Sequence, residues 1–438
     1  MIRPQARRVV TRWEIVALSL NDVVGSGVYL LPAAAAAVLG SASLWAVLLA
    51  GLAVLLIVLC FAEAASRFDG PGSGYLYARE AWGDFVGFEV GWMTFLTRVA
   101  TLASLSAGFA QALGWAWPWV RSGTGRAAAI VAPLLVLTAI NVAGVKAGAR
   151  ASSTLVVLKL APLVVFLVAG LPAVSWGLVT APAAVDAPRL GEVALLLLFA
   201  YAGFENTAAP AGEFEDPRRD VPFALLTQIG VVTSLYVCVQ LVALGTLPGL
   251  GASKTPLADA ARLFLGPWGG ALLTAGAVAS ILGTVGNTVL SGPRYLYALA
   301  LDGFGPRWLA ALHPSRRTPA AAILLQTAVV LPLALSGTFT GLAALSVVAR
   351  LACYVSTAAA IPVLRRKLPD TASTVRLPGG AAIPVAALGV SAFLLASATA
   401  GNLLAGAAAI LLGAFLFALR RRGGGAERGG AGTDGSGS

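Results

Sequence analysis

Long apolar runs, separated by short polar joints that carry most of the cations, fill nearly all of this chain. A helix needs about 20 mainly apolar residues to cross a bilayer. On that rule the pattern predicts twelve spanning helices, at 14–38, 41–66, 84–112, 127–145, 151–171, 191–213, 221–247, 267–293, 320–337, 341–363, 380–398 and 402–419. The stretch 377–419 holds no charge and is too long for one span, so Gly401-Asn402 is read as the turn that divides it. Two of the predicted helices are interrupted within their apolar length. Gly25-Ser26-Gly27 breaks the first, and Ala202-Gly203-Phe204 breaks the sixth. Backbone N–H and C=O groups inside a bilayer must be paired, so a break is tolerated where it faces protein, ligand or water. Paired breaks in corresponding segments point to the binding site of a transporter built from two repeats. Five spans is an odd number, so a second half starting at the sixth has the opposite topology.

The predicted organisation follows. Residues 1–13 form a cytoplasmic N-terminus, 14–171 a first repeat of five spans, 191–363 a second, inverted repeat, and 380–419 two extra spans. Residues 420–438 form a cytoplasmic tail; after Arg422 it is Gly/Ser-rich, has no apolar face to bury and is expected to be disordered.

Composition sharpens the class. The chain is 58% hydrophobic and only 11% charged, with mean hydropathy +0.85, against roughly 25% charged residues in soluble domains. The net charge of +11 does not point to nucleic acid, because the cations form short clusters between apolar runs with no aromatic-interleaved basic patch. They set topology instead. With the N-terminus inside, 22 cations fall on the cytoplasmic side and 5 outside (Arg121, Arg126, Arg189, Lys254 and Arg262), while Arg98, Lys159 and Arg350 lie within spans. That asymmetry predicts cytoplasmic N- and C-termini. The first apolar run is too long for a signal-peptide core and lacks a cleavage site. Cys60, Cys238 and Cys353 all lie in apolar segments without paired or metal-ligand spacing, and the single histidine, His313, lies in a polar loop. No nucleophile–base pair or metal cluster is evident, so the chain does not read as an enzyme. Two broken helices, rather than a polar pore ring, argue against a channel.

Four stretches, in order, carry a resemblance: Gly25-Ser26-Gly27-Val28-Tyr29-Leu30-Leu31-Pro32; Gly70 to Tyr77 followed by Gly87-Phe88-Glu89-Val90-Gly91-Trp92; Phe199-Ala200-Tyr201-Ala202-Gly203-Phe204-Glu205 through Glu213 and Asp216-Pro217-Arg218-Arg219-Asp220-Val221-Pro222; and Ser291-Gly292-Pro293-Arg294 through Asp302-Gly303 to Thr318-Pro319. Together they resemble the amino acid permeases of the amino acid–polyamine–organocation (APC) superfamily, from the first span to the start of the ninth. The resemblance implies an all-α polytopic fold of 12 transmembrane helices, a 5+5 inverted repeat of the LeuT-like type with helices 1 and 6 broken, plus two C-terminal helices. In the family the first cytoplasmic loop usually has a proline and a Gly-Gly pair before its tyrosine; here Asp69 and Ser73 interrupt that pattern.

The resemblance also implies a site. Ser26 and Gly27 match the carboxylate-binding positions, with Gly25 beside them in the substrate-binding set, and a half-helix N-terminus suits an anion, because its free N–H groups and positive dipole end face the ligand. Val23 and Val24, with Phe199 and Ala202, match the unwound carbonyl positions that receive the substrate ammonium, and Gly203 completes the substrate-binding set. Phe199 matches the aromatic gate of related antiporters. Lys159 stands where sodium-coupled relatives bind their ion, so it reads as a proton-coupling group or as a charged strut between helices one, five and eight. Oxygens on Ser280 and Thr284 would otherwise suit sodium, but the Lys159 cation repels it. Asp22 precedes the first break as an acid where relatives often have a neutral polar residue; it could pair with Lys159, bind a cationic substrate or carry the proton. Glu205 follows the second break and reads as a gating or protonation site. Arg98 and Arg350 need partners or water, whereas Glu63, Glu89 and Glu213 lie nearer span ends.

The expected function is secondary active amino acid transport across the plasma membrane by alternating access, as proton-coupled symport of neutral L-amino acids, with no cofactor and H+ as coupling ion. The partners are a small-molecule substrate and the lipid bilayer. The alternatives are an obligate exchanger, a transporter of cationic amino acids or polyamines, and a nutrient sensor built on a permease fold.

Overall fold

The computed structural model describes residues 10–69, 73–143, 149–181, 187–208, 211, 214–316, 318–370 and 374–429, with the side chains of 149–157 and 420–429 outside that description. Gly70, Lys146, Glu213, Arg317 and residues 430–438, all used in the sequence argument, lie outside the described residues. The protein is 84% helical with no strand among the described residues. An isolated parallel bridge joins Val10 to Phe214.

The first predicted span is two helices, α1 (Arg12–Val23) and α2 (Ser26–Leu39). Then come α3 (Ser43–Ala65), a short α4 (Ser73–Trp82), α5 (Asp84–Leu113), α6 (Gly123–Ala143), α7 (Ala149–Gly170) and a single turn, α8 (Trp176–Val179). The second half opens with α9 (Ala187–Tyr201), followed after the break by a 3-10 turn, Phe204–Asn206. Next are α10 (Pro217–Thr246), α11 (Pro256–Leu301), α12 (Ala320–Ser336), α13 (Phe339–Lys367), α14 (Ala382–Ala396) and α15 (Ala400–Gly429). Seven stretches are long and apolar enough to cross a membrane, Ser26–Ala65 among them, and shorter apolar helices accompany them at Leu158–Ala173, Ala320–Ser336 and Ala382–Ala396. This is a polytopic helical membrane protein.

Burial sorts the helices into layers. α5 lies at the centre, with 94% of its most apolar window buried, whereas 17% of α6 and 11% of α15 are buried on the same measure. The outer helices present Leu135, Val136, Val168, Leu404, Leu411 and Phe415 outward, which only a lipid surface tolerates on this scale. Exposed tryptophans (Trp13, Trp45, Trp117, Trp119, Trp176, Trp268 and Trp308) sit near helix ends, where amphipathic rings meet the membrane–water boundary. Within the bundle α2 packs on α9, α3 on α10, α5 on α11 and α6 on α12.

Two details differ from the sequence expectation. The divide between the last two helices falls at Ser397–Thr399, and Gly401-Asn402 lies in the first turn of α15. Thr399 decides this, because its Oγ1 accepts from Asn402 N at 3.3 Å, and a side-chain cap starts a helix more effectively than a Gly-Asn pair ends one. The backbone of α15 also stays helical to Gly429, past Arg422, where the composition predicts disorder. Helix elongation from an established segment needs no new nucleus, so propagation carries over the glycines.

Candidate functional site

The two breaks face each other. α1 ends at Val23 and α2 starts at Ser26, which leaves Val24 and Gly25 non-helical. α9 ends at Tyr201, and Gly203 takes φ 130°, a left-handed conformation that favours glycine. A Cβ on Gly203 would lie 2.9 Å from the Asp22 carbonyl, and one on Gly27 would lie 2.6 Å from Ala200 Cα. Glycine at both positions therefore lets one broken backbone lie directly on the other. Tyr236, on α10, ties them together, its hydroxyl donating to Ala200 O at 3.0 Å and Val23 O at 3.3 Å.

Between the breaks is a cavity of about 30 Å³ lined by Asp22, Val23, Gly25, Ser26, Gly27, Phe199, Ala202 and Gly203, with Arg98, Thr101 and Leu105 from α5, Thr284 and Thr288 from α11, and Arg350 from α13. The structure thus brings together eleven of the residues singled out from sequence. Val24 stays out of the lining; its carbonyl, like that of Gly25, accepts from Ser280 Oγ at 3.1 and 3.4 Å. Thr101, Leu105 and Thr288 were not singled out. Their signal lay in helical spacing: Thr101 and Leu105 share a face with Arg98, and Thr288 is one turn beyond Thr284.

Two kinds of unspent hydrogen-bonding capacity meet at this cavity. Ser26 is fully buried and its Oγ has no hydrogen-bond partner. The first turn of α2, where Gly25 as N-cap offers no side-chain cap, presents its N–H groups alongside. Arg98 is buried, and its Nε and Nη2 also lack partners. Buried polar groups are almost always hydrogen-bonded, so those left without a partner call for a ligand or water.

The other charges at the breaks are engaged, whereas both carboxylate oxygens of Glu89, on α5, are buried without a partner among the described residues. Lys159, 1% exposed, donates Nζ to Asn21 O at 3.0 Å and to Thr284 Oγ1 at 3.1 Å. It lies beside the cavity and ties α7 to the end of α1 and to α11, the strut geometry. It has no carboxylate within ion-pair distance among the described residues; Asp22 instead accepts from Asn287. Glu205 is held by Arg350, by Tyr354 OH at 3.1 Å and by Gly203 N at 3.0 Å. Arg350 Nη2 reaches Thr101 Oγ1 at 3.1 Å. The second break is therefore locked to α13 by a buried ion pair. Glu63, expected at a span end, is wholly buried and takes Arg365 through both oxygens at 2.7 Å and Leu377 N at 3.0 Å, so it pins a loop.

A family model described as "Amino acid permease" matches residues 10–410. The chain belongs to the amino acid permease family. The permease is 30% identical to the serine/threonine exchanger SteT of Bacillus subtilis (strain 168) over 407 residues, 90% of this chain and 92% of that one. It is 27% identical to the methylthioribose transporter of the same organism over 87% of each chain. It is 25% identical to that organism's branched-chain amino acid permease BcaP over 89% and 88% of the two. Amino acid permeases of the APC superfamily are thus its relatives.

The ends of the permease differ. At one end a second cavity, of about 850 Å³, is lined by Arg121, Arg126, Lys254, Asp259, Arg262 and Phe339, among others. Phe339 meets Phe199 edge-on, ring centroids 5.8 Å apart, so this aromatic pair separates the large cavity from the small one. The opposite end is latched. Arg12 pairs with Asp220 at 3.0 Å and lies over the Phe223 ring, Arg218 pairs with Asp69 at 2.6 Å, and Tyr75 OH donates to Asp302 at 2.6 Å. Burial, reinforced by Asp302, pushes the Tyr75 phenol above its ordinary value, so it remains a donor at physiological pH.

Proposed function

We propose that the permease is a secondary active amino acid transporter whose substrate backbone binds between the two breaks. The observation that carries this reading is the buried, partnerless Ser26 Oγ at the uncapped start of α2, directly across from the second break. The α-carboxylate is received by Ser26 Oγ and the Ser26 and Gly27 N–H groups. The α-ammonium is received by carbonyls of the unwound segments, from Val23 and Val24 and from Phe199 and Ala202.

A twelve-span, N-in and C-in fold with a 5+5 inverted repeat accounts for the packing. Segments one and six, two and seven, three and eight, and four and nine pack on one another, as partners across a two-fold axis in the membrane plane would. The cation-lined cavity then opens outward, and the Arg12–Asp220, Arg218–Asp69 and Tyr75–Asp302 contacts close the cytoplasmic side. Transport proceeds by opening Phe199 from Phe339, admitting substrate, closing, and then releasing the cytoplasmic latch. The small central cavity, at about 30 Å³, has room for a water and not for an amino acid, which fits a closed site between the two gates.

Coupling is assigned to Lys159. Its ammonium supplies the donors that hold Asn21 O and Thr284 Oγ1, so loss of its proton weakens the grip on the first break, and protonation and site geometry are linked. A second reading, obligate exchange with Lys159 as a permanent strut, is favoured by the similarity to a serine/threonine exchanger. Proteoliposomes separate the two: a symporter fills empty vesicles with labelled amino acid under an inward proton gradient, and an exchanger requires amino acid inside.

A further inference from the structure

We infer that Arg98 receives an anionic side chain of the substrate, so that the permease takes acidic amino acids, L-aspartate or L-glutamate. This rests on the amino acid reading above and names its substrate class. Five ionisable side chains surround the breaks: Asp22 and Glu205 against Arg98, Lys159 and Arg350. Glu205 is matched by Arg350, and Lys159 spends its donors on neutral oxygens. Asp22 is held by Asn287. That leaves Arg98, 4% exposed, as a guanidinium with no hydrogen bond or ion pair among the described residues and with Nε and Nη2 sealed from solvent; Asp22 and Glu205 act on it through space alone.

An empty arginine fork in a cavity wall is matched by a carboxylate, which it can bind through two parallel bonds. The substrate's own α-carboxylate is already provided for by Ser26 and the start of α2. The cluster carries three positive and two negative side chains, and a zwitterion leaves that excess uncompensated. An acidic amino acid, zwitterionic at its backbone and anionic at its side chain, balances it. The cavity floor supports the same assignment, since Thr101, one turn from Arg98, is already taken by Arg350.

The entrance points the same way independently. The large cavity sets Arg121, Arg126, Lys254 and Arg262 against the single acid Asp259. A cleft lined by one sign of charge concentrates ligands of the opposite sign and speeds their entry. It repels the cationic amino acids and polyamines that Asp22, read from sequence, had suggested. The cation-lined space ends at Phe339, whose ring touches Phe199, which in turn lines the cavity that Arg98 faces.

The test is binding and uptake by the full-length permease in proteoliposomes, with labelled L-glutamate and L-aspartate as probes and L-glutamine, L-asparagine, L-serine, L-leucine and L-arginine as competitors. The inference predicts that each acid binds at least about 100-fold more tightly than its amide, because a site built around a substrate charge leaves its own group unpaired when the amide enters. Arg98→Gln removes the acid-over-amide preference while amide binding persists, and Arg98→Lys retains part of the preference. An amide or a neutral amino acid that binds as tightly as the acids overturns the inference and leaves the amino acid reading standing, as does an unchanged acid-to-amide ratio in Arg98→Gln. If the variant does not fold, the wild-type ratio decides alone. Failure of every amino acid to bind overturns the amino acid reading itself.

Discussion

Gly27 and Ala200 approach so closely that one added carbon on Gly27 would fall 2.6 Å from both Cα and Cβ of Ala200. This contact fuses the two broken segments into one site, because it brings the start of α2 against the end of α9. Ala200 meets the added carbon partly with backbone and has no flexible end to move aside. Gly27→Ala should therefore cost about 1–3 kcal/mol as an overpacked core does, and it should abolish uptake because the breaks separate. Melting temperature in detergent and uptake in vesicles check the two parts. Full uptake with unchanged stability would show that the breaks need not touch.

The Arg350–Glu205 pair fixes the second break to α13. Removing one partner leaves a buried charge uncompensated, at about 3–5 kcal/mol. Arg350→Met should lower the melting temperature strongly, and the double change Arg350→Met with Glu205→Gln should recover much of the loss. A double variant no more stable than the single ones would mean that the pair does not act as a unit.

Lys159→Ala removes the donors to Asn21 O and Thr284 Oγ1. If Lys159 carries the coupling proton, uptake driven by a pH gradient is lost in this variant, while counterflow at equal pH on both sides persists at a reduced rate. An unaltered pH profile would assign coupling elsewhere, and loss of both activities would favour the strut.

The latch at the Arg12 end is thin. The Arg12 side chain is 42% exposed, so its pair with Asp220 is worth about 1 kcal/mol or less. Arg12→Ala should raise the inward-open population by up to about fivefold. Replacing Cys60, Cys238 and Cys353 by alanine and placing a cysteine at Thr207 gives a reporter near the second break. Its alkylation by a membrane-impermeant reagent from the cytoplasmic side should speed up by that factor. No change would place the latch at Arg218–Asp69 or Tyr75–Asp302.

The breaks, and with them most of the cavity wall, were legible in the sequence because two glycine-containing interruptions fall at corresponding places in two apolar runs; single glycines such as Gly51 and Gly108 serve close packing inside unbroken helices. The intramembrane charges were legible as positions and not as partners. Arg98 and Arg350 look alike in a sequence, yet one is matched by Glu205 and the other stands open, a difference made by which face of α5 and α13 meets the break. Pairing with Lys159 is one of three readings of Asp22 from sequence, but Asn287 on α11 meets Asp22, while Thr284, one turn earlier on α11, and the Asn21 carbonyl meet Lys159. Ser73, which interrupts the family's glycine pattern, takes a positive φ of 47°, a conformation that favours glycine, and donates its hydroxyl to Glu205 O. The cavity of about 850 Å³ was invisible, since its cations come from four separate segments.

The most direct measurement of the central claim is a thermal-shift panel of the twenty proteinogenic amino acids on the purified permease and on Ser26→Leu. The leucine side chain fills the space at the start of α2 where the substrate carboxylate would sit. The account predicts that at least one amino acid raises the melting temperature of the wild type, and that none raises that of Ser26→Leu above its own unliganded value, with elution showing that the variant is folded. A Ser26→Leu protein stabilised as much as the wild type by the same amino acid would contradict it.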